Sequence, residues 1–516
     1  MEINFTRLLH IRERNDWKKA YDEEILKLDQ LYQEEERLYY EMYAEGKEST
    51  RLDEILEIKN MLMTNEQLKE NILSWQETMK DDPIWFRRLE VFLSQMIKDS
   101  LDSHPELVKI QQSLQKRLLE STFFLDGEEY NISRAHSTMI DSPDRELRHK
   151  LLSKSKEIGE RNEELFRTLI VMRNKLARDL GFNHYYEFRC SLKEIDYEMY
   201  LSEMNEFLKN TRSSSSSWNH RIKEKFGWEA LQYYDLYFTA FNFHQIQSEE
   251  FTAERMYDVL KDVLNSLDIS IEQIPVTIQS LEIPYGGFCT NINPEEIKVV
   301  VGKRDSFSAF VTGIHEMGHA IDGYYSSYQF PELYRFHSSI AAESIAELFQ
   351  TISYDKEFLK NNFKLQEEDY AQIEGANQLM NLLMVKMNYY HSLVEYKMYL
   401  NPEQNFQELA NKCYEDVFGY QGDTFHPASE MFYIEYPIFF QDYNFALASR
   451  DMIRQYFHIE SLYKETEVFE KLLEILIKPN QLFSWKQRVE KVCDRQHTFG
   501  YLAKSLSKIE SETSDK

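Results

Sequence analysis

Apolar residues recur at three- and four-residue spacing along most of the chain, with glutamate and lysine between them. In residues 23–33, for example, the spacing of leucine and isoleucine is that of a helix with one apolar face. Proline-containing breaks at residues 81–83 and 103–105 divide the pattern, which argues against one long coiled coil. The periodicity therefore predicts a mainly α fold built from many separate helices.

Short runs rich in β-branched residues predict strands at residues 274–278 and 281–284, and the strongest strand at residues 298–301. We expect these strands to form a small β-sheet next to the helix that follows them. An extended peptide could add to the edge of the 298–301 strand by backbone hydrogen bonds, although a purely structural strand fits the same residues. Asp126 and Gly127 predict a turn or a small hairpin.

Composition places the chain among globular proteins, because 42% of its 516 residues are hydrophobic and 29% are charged. This length allows a large core and two or more subdomains. Only 15 glycines and 11 prolines are present, which favours long helices with few turns. The net charge of −28 argues against nucleic acid or an anionic membrane surface as a partner.

The four cysteines are far apart in the sequence and form no Cys-x-x-Cys pair. This usage is typical of reduced thiols in a cytosolic protein. The first residues lack a basic region followed by an apolar run, so no signal peptide is predicted. No stretch reaches the roughly 18 apolar residues that a membrane span needs. We therefore expect a cytoplasmic location and no membrane partner.

The strongest chemical signal is His315-Glu316-Met317-Gly318-His319, a His-Glu-x-x-His motif. On a helix, residues four apart lie on one face, so both imidazoles can bind one metal ion from the same side. Glu316 would then serve as general base for a water molecule that the metal activates. Asp305 or Ser306 can cap the start of this helix. The motif therefore predicts a zinc site with His315 and His319 as ligands.

A third ligand is expected from a second helix, predicted over residues 337–350. Glu343 and Glu347 lie one turn apart on it. One of these carboxylates would complete a set of two histidines and one glutamate, which leaves an open position as in catalytic zinc sites. The other could hydrogen-bond a ligand imidazole. Both could instead be solvated residues of an acidic helix.

At these residues the chain resembles the thimet oligopeptidase and oligoendopeptidase F family of zinc metallopeptidases. Besides the His-Glu-x-x-His motif, the resemblance rests on residues 341–344 (Ala-Ala-Glu-Ser), 285–290, 296–301 and 173–188. It extends unevenly from about residue 145 to about residue 455. It implies one Zn²⁺ ion, Glu343 as the third ligand, and helical walls around a deep cleft that admits only oligopeptides.

The resemblance also bears on a tyrosine-rich segment near the end of the chain. In the related peptidases a histidine precedes such a segment, and His426, Tyr436 and Tyr443 resemble it here. A histidine and tyrosine hydroxyls can stabilise the oxyanion that forms when a peptide bond is hydrolysed. The resemblance therefore implies catalytic roles for these three residues, with either tyrosine as the main donor.

The resulting expectation is a zinc-dependent endopeptidase that acts on short peptides, with two helical lobes around a deep cleft. We expect an N-terminal helical lobe at residues 1–145, a catalytic region at residues 146–506 and a polar, frayed tail at residues 507–516. Two alternatives stay open: a zinc carboxypeptidase, and an inactive helical binding or scaffold protein. The intact Glu316 weighs against the inactive protein, since a dead site does not need its base.

Overall fold

A computed structural model describes residues 3–244, 246, 248–283 and 286–507. The predicted residues Pro284 and Tyr285 and the tail at residues 508–516 lie outside the described part. Within that part the fold is mainly α, with two small sheets, as the periodicity predicts. No helix in the described ranges is both long and apolar enough to cross a membrane.

The chain forms two compact units, each assembled from separated stretches of sequence. The first unit draws on residues 1–103, 247–365 and 453–497, and the second on residues 104–246, 366–452 and 498–516. The predicted division at residue 145 is not tested by this arrangement and stays a prediction.

The first unit begins with four helices, which pack around a core that includes Trp17, Tyr21 and Phe92. Their bounds are α1 (Arg14–Glu45), α2 (Thr50–Met63), α3 (Glu66–Thr78) and α4 (Pro83–Asp102). Proline is the first residue of α4, a position where a backbone N–H group has no partner within the helix, so the N–H group that proline lacks is not missed. The Asp82 side chain caps this helix by accepting a hydrogen bond from Trp85 N. The break predicted at residues 81–83 is therefore confirmed as a helix start.

The second unit opens with helices and one hairpin. These elements are α5 (Pro105–Glu120), β1 (Thr122–Leu125), β2 (Glu128–Asn131), α6 (Ile132–Asp141), α7 (Arg145–Asp179), α8 (Tyr185–Leu192), α9 (Tyr197–Asn210), α10 (Arg212–Phe226) and α11 (Tyr233–Asn242). Strands β1 and β2 pair antiparallel on either side of Asp126 and Gly127, both of which have positive φ. The hairpin predicted there is confirmed.

The chain then returns to the first unit with a helix, a three-stranded sheet and four more helices. Their bounds are α12 (Met256–Asn265), β3 (Val276–Leu281), β4 (Gly287–Asn293), β5 (Glu296–Gly302), α13 (Phe307–Tyr325), α14 (Pro331–Arg335), α15 (Ser339–Gln350) and α16 (Lys356–Asn362). The strand order is β3-β5-β4, with β5 parallel to β3 and antiparallel to β4.

This order corrects one expectation. The strand predicted at residues 298–301 is the middle strand β5, so both of its edges are already paired and a peptide cannot add to it. Its continuous Val299-Val300-Val301 run is fully buried, as is typical of a strand in a sheet that is covered on both faces. The edge strands of this sheet are β3 and β4.

The remaining helices complete both units. They are α17 (Glu367–Leu400), α18 (Phe406–Phe418), α19 (Met431–Glu435), α20 (Phe440–Phe457), α21 (Thr466–Leu472), α22 (Trp485–Cys493) and α23 (Gly500–Leu506). Helix α17 is the long central helix of the second unit and is buried over most of its length.

Candidate metal site

Helix α13 carries the His-Glu-x-x-His motif and begins where the sequence predicts. Of the two predicted caps, Ser306 is the one used, since its side chain accepts a hydrogen bond from Ala309 N at 3.3 Å. Asp305 instead accepts a hydrogen bond from Ala253 N at 2.9 Å. The apolar face of α13 includes Phe310 and Ile314, which are buried. Burial of this face fixes which side of the helix the two histidines occupy.

Helices α13 and α15 lie unusually close together at Gly318. A Cβ atom at this position would lie 2.7 Å from the Cα of Ala346 and 3.0 Å from the Cβ of Phe349, so only glycine fits. This close approach brings Glu343 on α15 next to the histidines on α13. The spacing of the helices, and not the motif alone, therefore builds the site.

His315, His319 and Glu343 form a cluster whose potential ligand atoms all lie within 4.8 Å of one another. Nε2 of His315 is 3.4 Å from Oε2 of Glu343, and Nε2 of His319 is 3.8 Å from Oε1 of Glu343. All three side chains are largely buried but still reach solvent, with exposed fractions of 15–19%. Two imidazoles and one carboxylate converging in this way match a zinc site with an open position.

The hydrogen bonding of the cluster fits a bound cation. Oε2 of Glu343 is a buried carboxylate oxygen without a hydrogen-bond partner. An unpaired charged oxygen is costly to bury, and a metal ion held between this oxygen and the imidazole nitrogens would remove that cost. The residues present therefore fit a divalent metal ion.

The electrostatics of the cluster point the same way. Burial lowers the pKa of His319 to about 4, so this imidazole is neutral near pH 7, as a metal ligand must be. Burial opposes protonation of His315 as well, but the carboxylate of Glu343 beside it raises the pKa of His315 to about 9. Although burial raises the pKa of Glu343, its contact with His315 lowers it below its ordinary value.

Glu316 follows the first histidine and is buried, with 9% of its surface exposed. Burial raises the pKa of Glu316 to about 7, although the neighbouring His315 opposes this. A carboxyl group whose pKa lies near the working pH can both accept and return a proton. The environment of Glu316 therefore suits a general base.

Strand β4 packs against the same helix. A Cβ atom at Gly287 would lie 2.9 Å from Cγ2 of Thr312 and 3.4 Å from Cγ of Glu316, so glycine lets β4 approach Glu316 closely. Further along β4, Nδ2 of Asn291 donates a hydrogen bond to the backbone oxygen of His319 at 3.1 Å. Asn291 thus holds the backbone of the second histidine. No local pattern in the sequence signals this contact, because it joins residues far apart in the chain.

Glu347, the other carboxylate of α15, lies outside the cluster of potential ligands. The sequence suggests that the second carboxylate could hydrogen-bond a ligand imidazole. Glu347 does not do so for His315, because Nδ1 of His315 is buried without a partner. Glu347 still acts on this histidine through its charge, which favours the protonated imidazole and so contributes to the raised pKa of His315.

The three residues proposed to stabilise an oxyanion lie in the second unit. His426 is fully buried: its Nε2 is 3.1 Å from Oε2 of Glu163, and its Nδ1 accepts a hydrogen bond from Ala428 N. Tyr436 is 54% exposed, and Tyr443 is half-buried against the ring of Phe439. These positions do not test the proposed role, which stays a prediction for all three residues.

Sequence comparison identifies no relative: no protein-family model and no curated protein matches the chain. Solved structures do match it over nearly its full length. PZ peptidase A aligns with 98% of this chain and 96% of its own, with a TM-score of 0.73 and 15% identity. A protein assigned as oligoendopeptidase F from Bacillus anthracis aligns with 98% and 93%, with a TM-score of 0.68 and 16% identity.

These matches define the fold. The chain has the mainly helical fold of oligoendopeptidase F and PZ peptidase A, and the resemblance predicted from its motifs is confirmed at the level of structure. At 14–16% identity the likeness shows the fold alone, so the chemistry has to be argued from the residues of the site.

Proposed function

We propose that the protein is a zinc-dependent endopeptidase that hydrolyses short peptides. The observation that carries this proposal is the convergence of His315, His319 and Glu343 within 4.8 Å, with Glu316 buried beside them. The shared fold with two kinds of peptidase supports it. A cytoplasmic location and oligopeptide substrates belong to the same proposal.

Nε2 of His315, Nε2 of His319 and the carboxylate of Glu343 would hold the metal ion. When bound, zinc supplies Lewis acidity, which activates water and polarises the carbonyl group of the peptide. Three protein ligands leave a position open on the ion, as catalytic sites require. The partial exposure of all three side chains gives substrate and solvent a path to this position.

Glu316 would act as general base and then as general acid. Its carboxylate accepts the proton of the water that attacks the peptide carbonyl, and afterwards returns this proton to the nitrogen of the leaving amine. The raised pKa of Glu316 suits both steps, since the group neither holds the proton too tightly nor releases it too early.

Strand β4 is the part of the sheet best placed to bind an extended peptide. It is an edge strand, and Gly287 brings its backbone close to Glu316. A peptide that adds to this edge by backbone hydrogen bonds is bound without regard to most of its side chains. The proposal also includes stabilisation of the oxyanion by His426, Tyr436 and Tyr443, the role that the resemblance implies for them.

The test is cleavage of an internally quenched peptide of about ten residues, offered with a free and with an amidated C-terminus. We expect cleavage inside both peptides, loss of activity after chelation, and recovery when zinc is returned. Cleavage that requires the free C-terminus would replace the endopeptidase with a carboxypeptidase. If zinc-loaded protein cuts none of a varied set of peptides, the proposal is wrong.

A further inference from the structure

Strand β4 holds the helix of the motif at its second histidine, and the fit is closer than one hydrogen bond implies. Besides donating from Nδ2 to the backbone oxygen of His319, the amide of Asn291 lies against Gly323, one turn further along α13. A Cβ atom at Gly323 would lie 2.1 Å from Cγ of Asn291, so any larger residue would displace this amide. Helix and strand are therefore fitted to each other at this point.

Asn291 lies where the pairing of β4 with β5 becomes irregular. Two residues of β4 advance there against one residue of β5, and Ile292 is the residue that the register skips. Such a bulge bends a strand and re-aims its side chains. It also leaves backbone groups without partners in the sheet, which is costly where they are buried, and Ile292 is fully buried.

Arg335, the last residue of α14, supplies the missing partners. Its Nη2 donates to the backbone oxygen of Ile292 at 2.7 Å, and its Nη1 donates to that of Asn291 at 3.4 Å. Its Nε donates to Oδ1 of Asp29 on α1 at 2.5 Å. The side chains of Arg335 and Asp29 are only 9% and 7% exposed, so solvent competes little for this charged hydrogen bond. The guanidinium group thus fixes the bulge to α1.

These contacts converge on one metal ligand, and all of them lie within the first unit. Helix α15 fixes α13 at Gly318, and β4 fixes it at the backbone oxygen of the next residue, His319. The imidazole of His319 is therefore attached to a backbone that is restrained at two neighbouring points. Such support matters at a metal site, because ligands have to be held within about 0.5 Å of their working positions.

We infer that Asn291 is a positioning residue for the candidate metal site and that Arg335 acts through it, so that His319 is held where it can bind zinc. The inference rests on the proposed function, since it concerns the metal ion that this function requires. It adds two residues to the site that do not contact the ion, and it assigns a role to the bulge in β4.

The test is the zinc affinity of Asn291→Ala, Arg335→Gln and the double variant beside wild type, measured by competition with a chelating dye. We expect Asn291→Ala to bind zinc about tenfold more weakly or worse, because the loss of contacts that orient a ligand costs about 10- to 100-fold. Arg335→Gln should also weaken binding, and the double variant should bind no more weakly than the worse single one. If Asn291→Ala binds zinc within about twofold of wild type, or if the two losses multiply, the inference is wrong.

Asn293→Ala is the matched control, on the same strand. Nδ2 of Asn293 donates to Oε1 of Gln33 on α1 at 3.2 Å, and its Oδ1 accepts a hydrogen bond from Glu295 N at 2.8 Å. Neither contact involves α13, so the zinc affinity of Asn293→Ala should stay within about twofold of wild type. Equal weakening in both alanine variants would show that any damage to β4 loosens the site, and would overturn the inference.

Cobalt(II) in place of zinc separates positioning from a merely structural role. Loss of a structural contact lowers stability but leaves the geometry of the metal unchanged in molecules that stay folded. The visible absorption of cobalt(II) depends on the arrangement of its ligands, so the spectrum of Asn291→Ala should differ from wild type and that of Asn293→Ala should match it. An unchanged spectrum in Asn291→Ala refutes the positioning role.

A second variant serves if Arg335→Gln folds poorly. Arg335→Lys keeps a positive charge beside Asp29 but lacks the planar fork that reaches two backbone oxygens, and the same result is expected of it. None of these measurements needs a peptide. If zinc affinity and the cobalt spectrum change as expected while no peptide is cut, the positioning role stands and the peptidase proposal falls. If wild type binds zinc and Asn291→Ala binds it equally well, the inference alone falls, whereas a wild type that binds no zinc contradicts both.

Discussion

At the scale of single residues, Glu343 is distinguished by a buried carboxylate oxygen without a hydrogen-bond partner. Glu347 lies one turn further along the same helix and outside the ligand cluster. Glu343→Gln should therefore weaken zinc binding by more than about 100-fold, since it removes both a charge and a ligand, whereas Glu347→Gln should cost about tenfold or less. Competition with a chelating dye measures both. Equal losses would mean that Glu343 is not a ligand.

Much of the candidate site could be predicted at this scale, because its residues lie in a short motif within one helix. The position of His315 and His319 on one helix face and the capping position Ser306 depend only on the geometry of one helix, and the structure shows both. The role of the two histidines as zinc ligands stays a prediction. The choice between Glu343 and Glu347 needed the resemblance to known peptidases. The contact between Asn291 and the backbone of His319 could not be predicted, because nothing local in the sequence records it.

At the scale of elements, the separation of α13 and α15 decides whether the ligands meet. A methyl group at position 318 would collide with the backbone of Ala346 at 2.7 Å, so Gly318→Ala must push the helices apart. We expect it to lower the free energy of unfolding by about 1–3 kcal/mol and also to weaken zinc binding. Chemical denaturation and metal titration measure the two effects.

Gly375→Ala in α17 is the control for this substitution. The Cβ atom that it adds has no neighbour closer than 3.2 Å, and that neighbour is a side-chain atom, Nε2 of His244, and not backbone. Alanine is also the better helix former, so stability should stay within about 1 kcal/mol of wild type. If Gly318→Ala behaves like this control, the close helix contact does not shape the site.

The elements themselves were largely predictable, but their pairing was not. Helices follow from the apolar periodicity, and the hairpin at Asp126 and Gly127 follows from turn chemistry. The strand at residues 298–301 was located correctly, yet its place in the middle of the sheet was missed. Strand order depends on contacts between distant segments, which a run of valines does not specify.

At the scale of the whole molecule, the two units interleave three stretches of sequence each. No composition change or linker in the sequence marks these crossings, so this organisation could not be predicted from it. The net charge of −28, in contrast, follows directly from the sequence, and it affects the rate at which charged substrates reach the protein. A strongly acidic protein attracts cationic substrates at long range, and salt screens this attraction.

We therefore expect a lysine-rich peptide to be cleaved with a higher kcat/KM at low salt than at high salt, by about tenfold or more between about 0.01 M and 1 M. A peptide of the same length with glutamate in place of lysine should show the opposite trend. Stopped-flow or steady-state assays on both peptides provide the comparison. If salt affects the two peptides equally, charge does not guide substrate to this protein.

The most direct test of the central claim is the activity and zinc content of Glu316→Gln beside wild type. Glutamine keeps the shape of the side chain but cannot accept the proton of the attacking water. Since Glu316 is not among the proposed ligands, the variant should hold one zinc ion per chain like wild type, while kcat/KM on the quenched peptide falls by more than about 100-fold. A zinc-loaded variant that cleaves peptide nearly as fast as wild type would contradict the proposed role of Glu316 and the mechanism built on it.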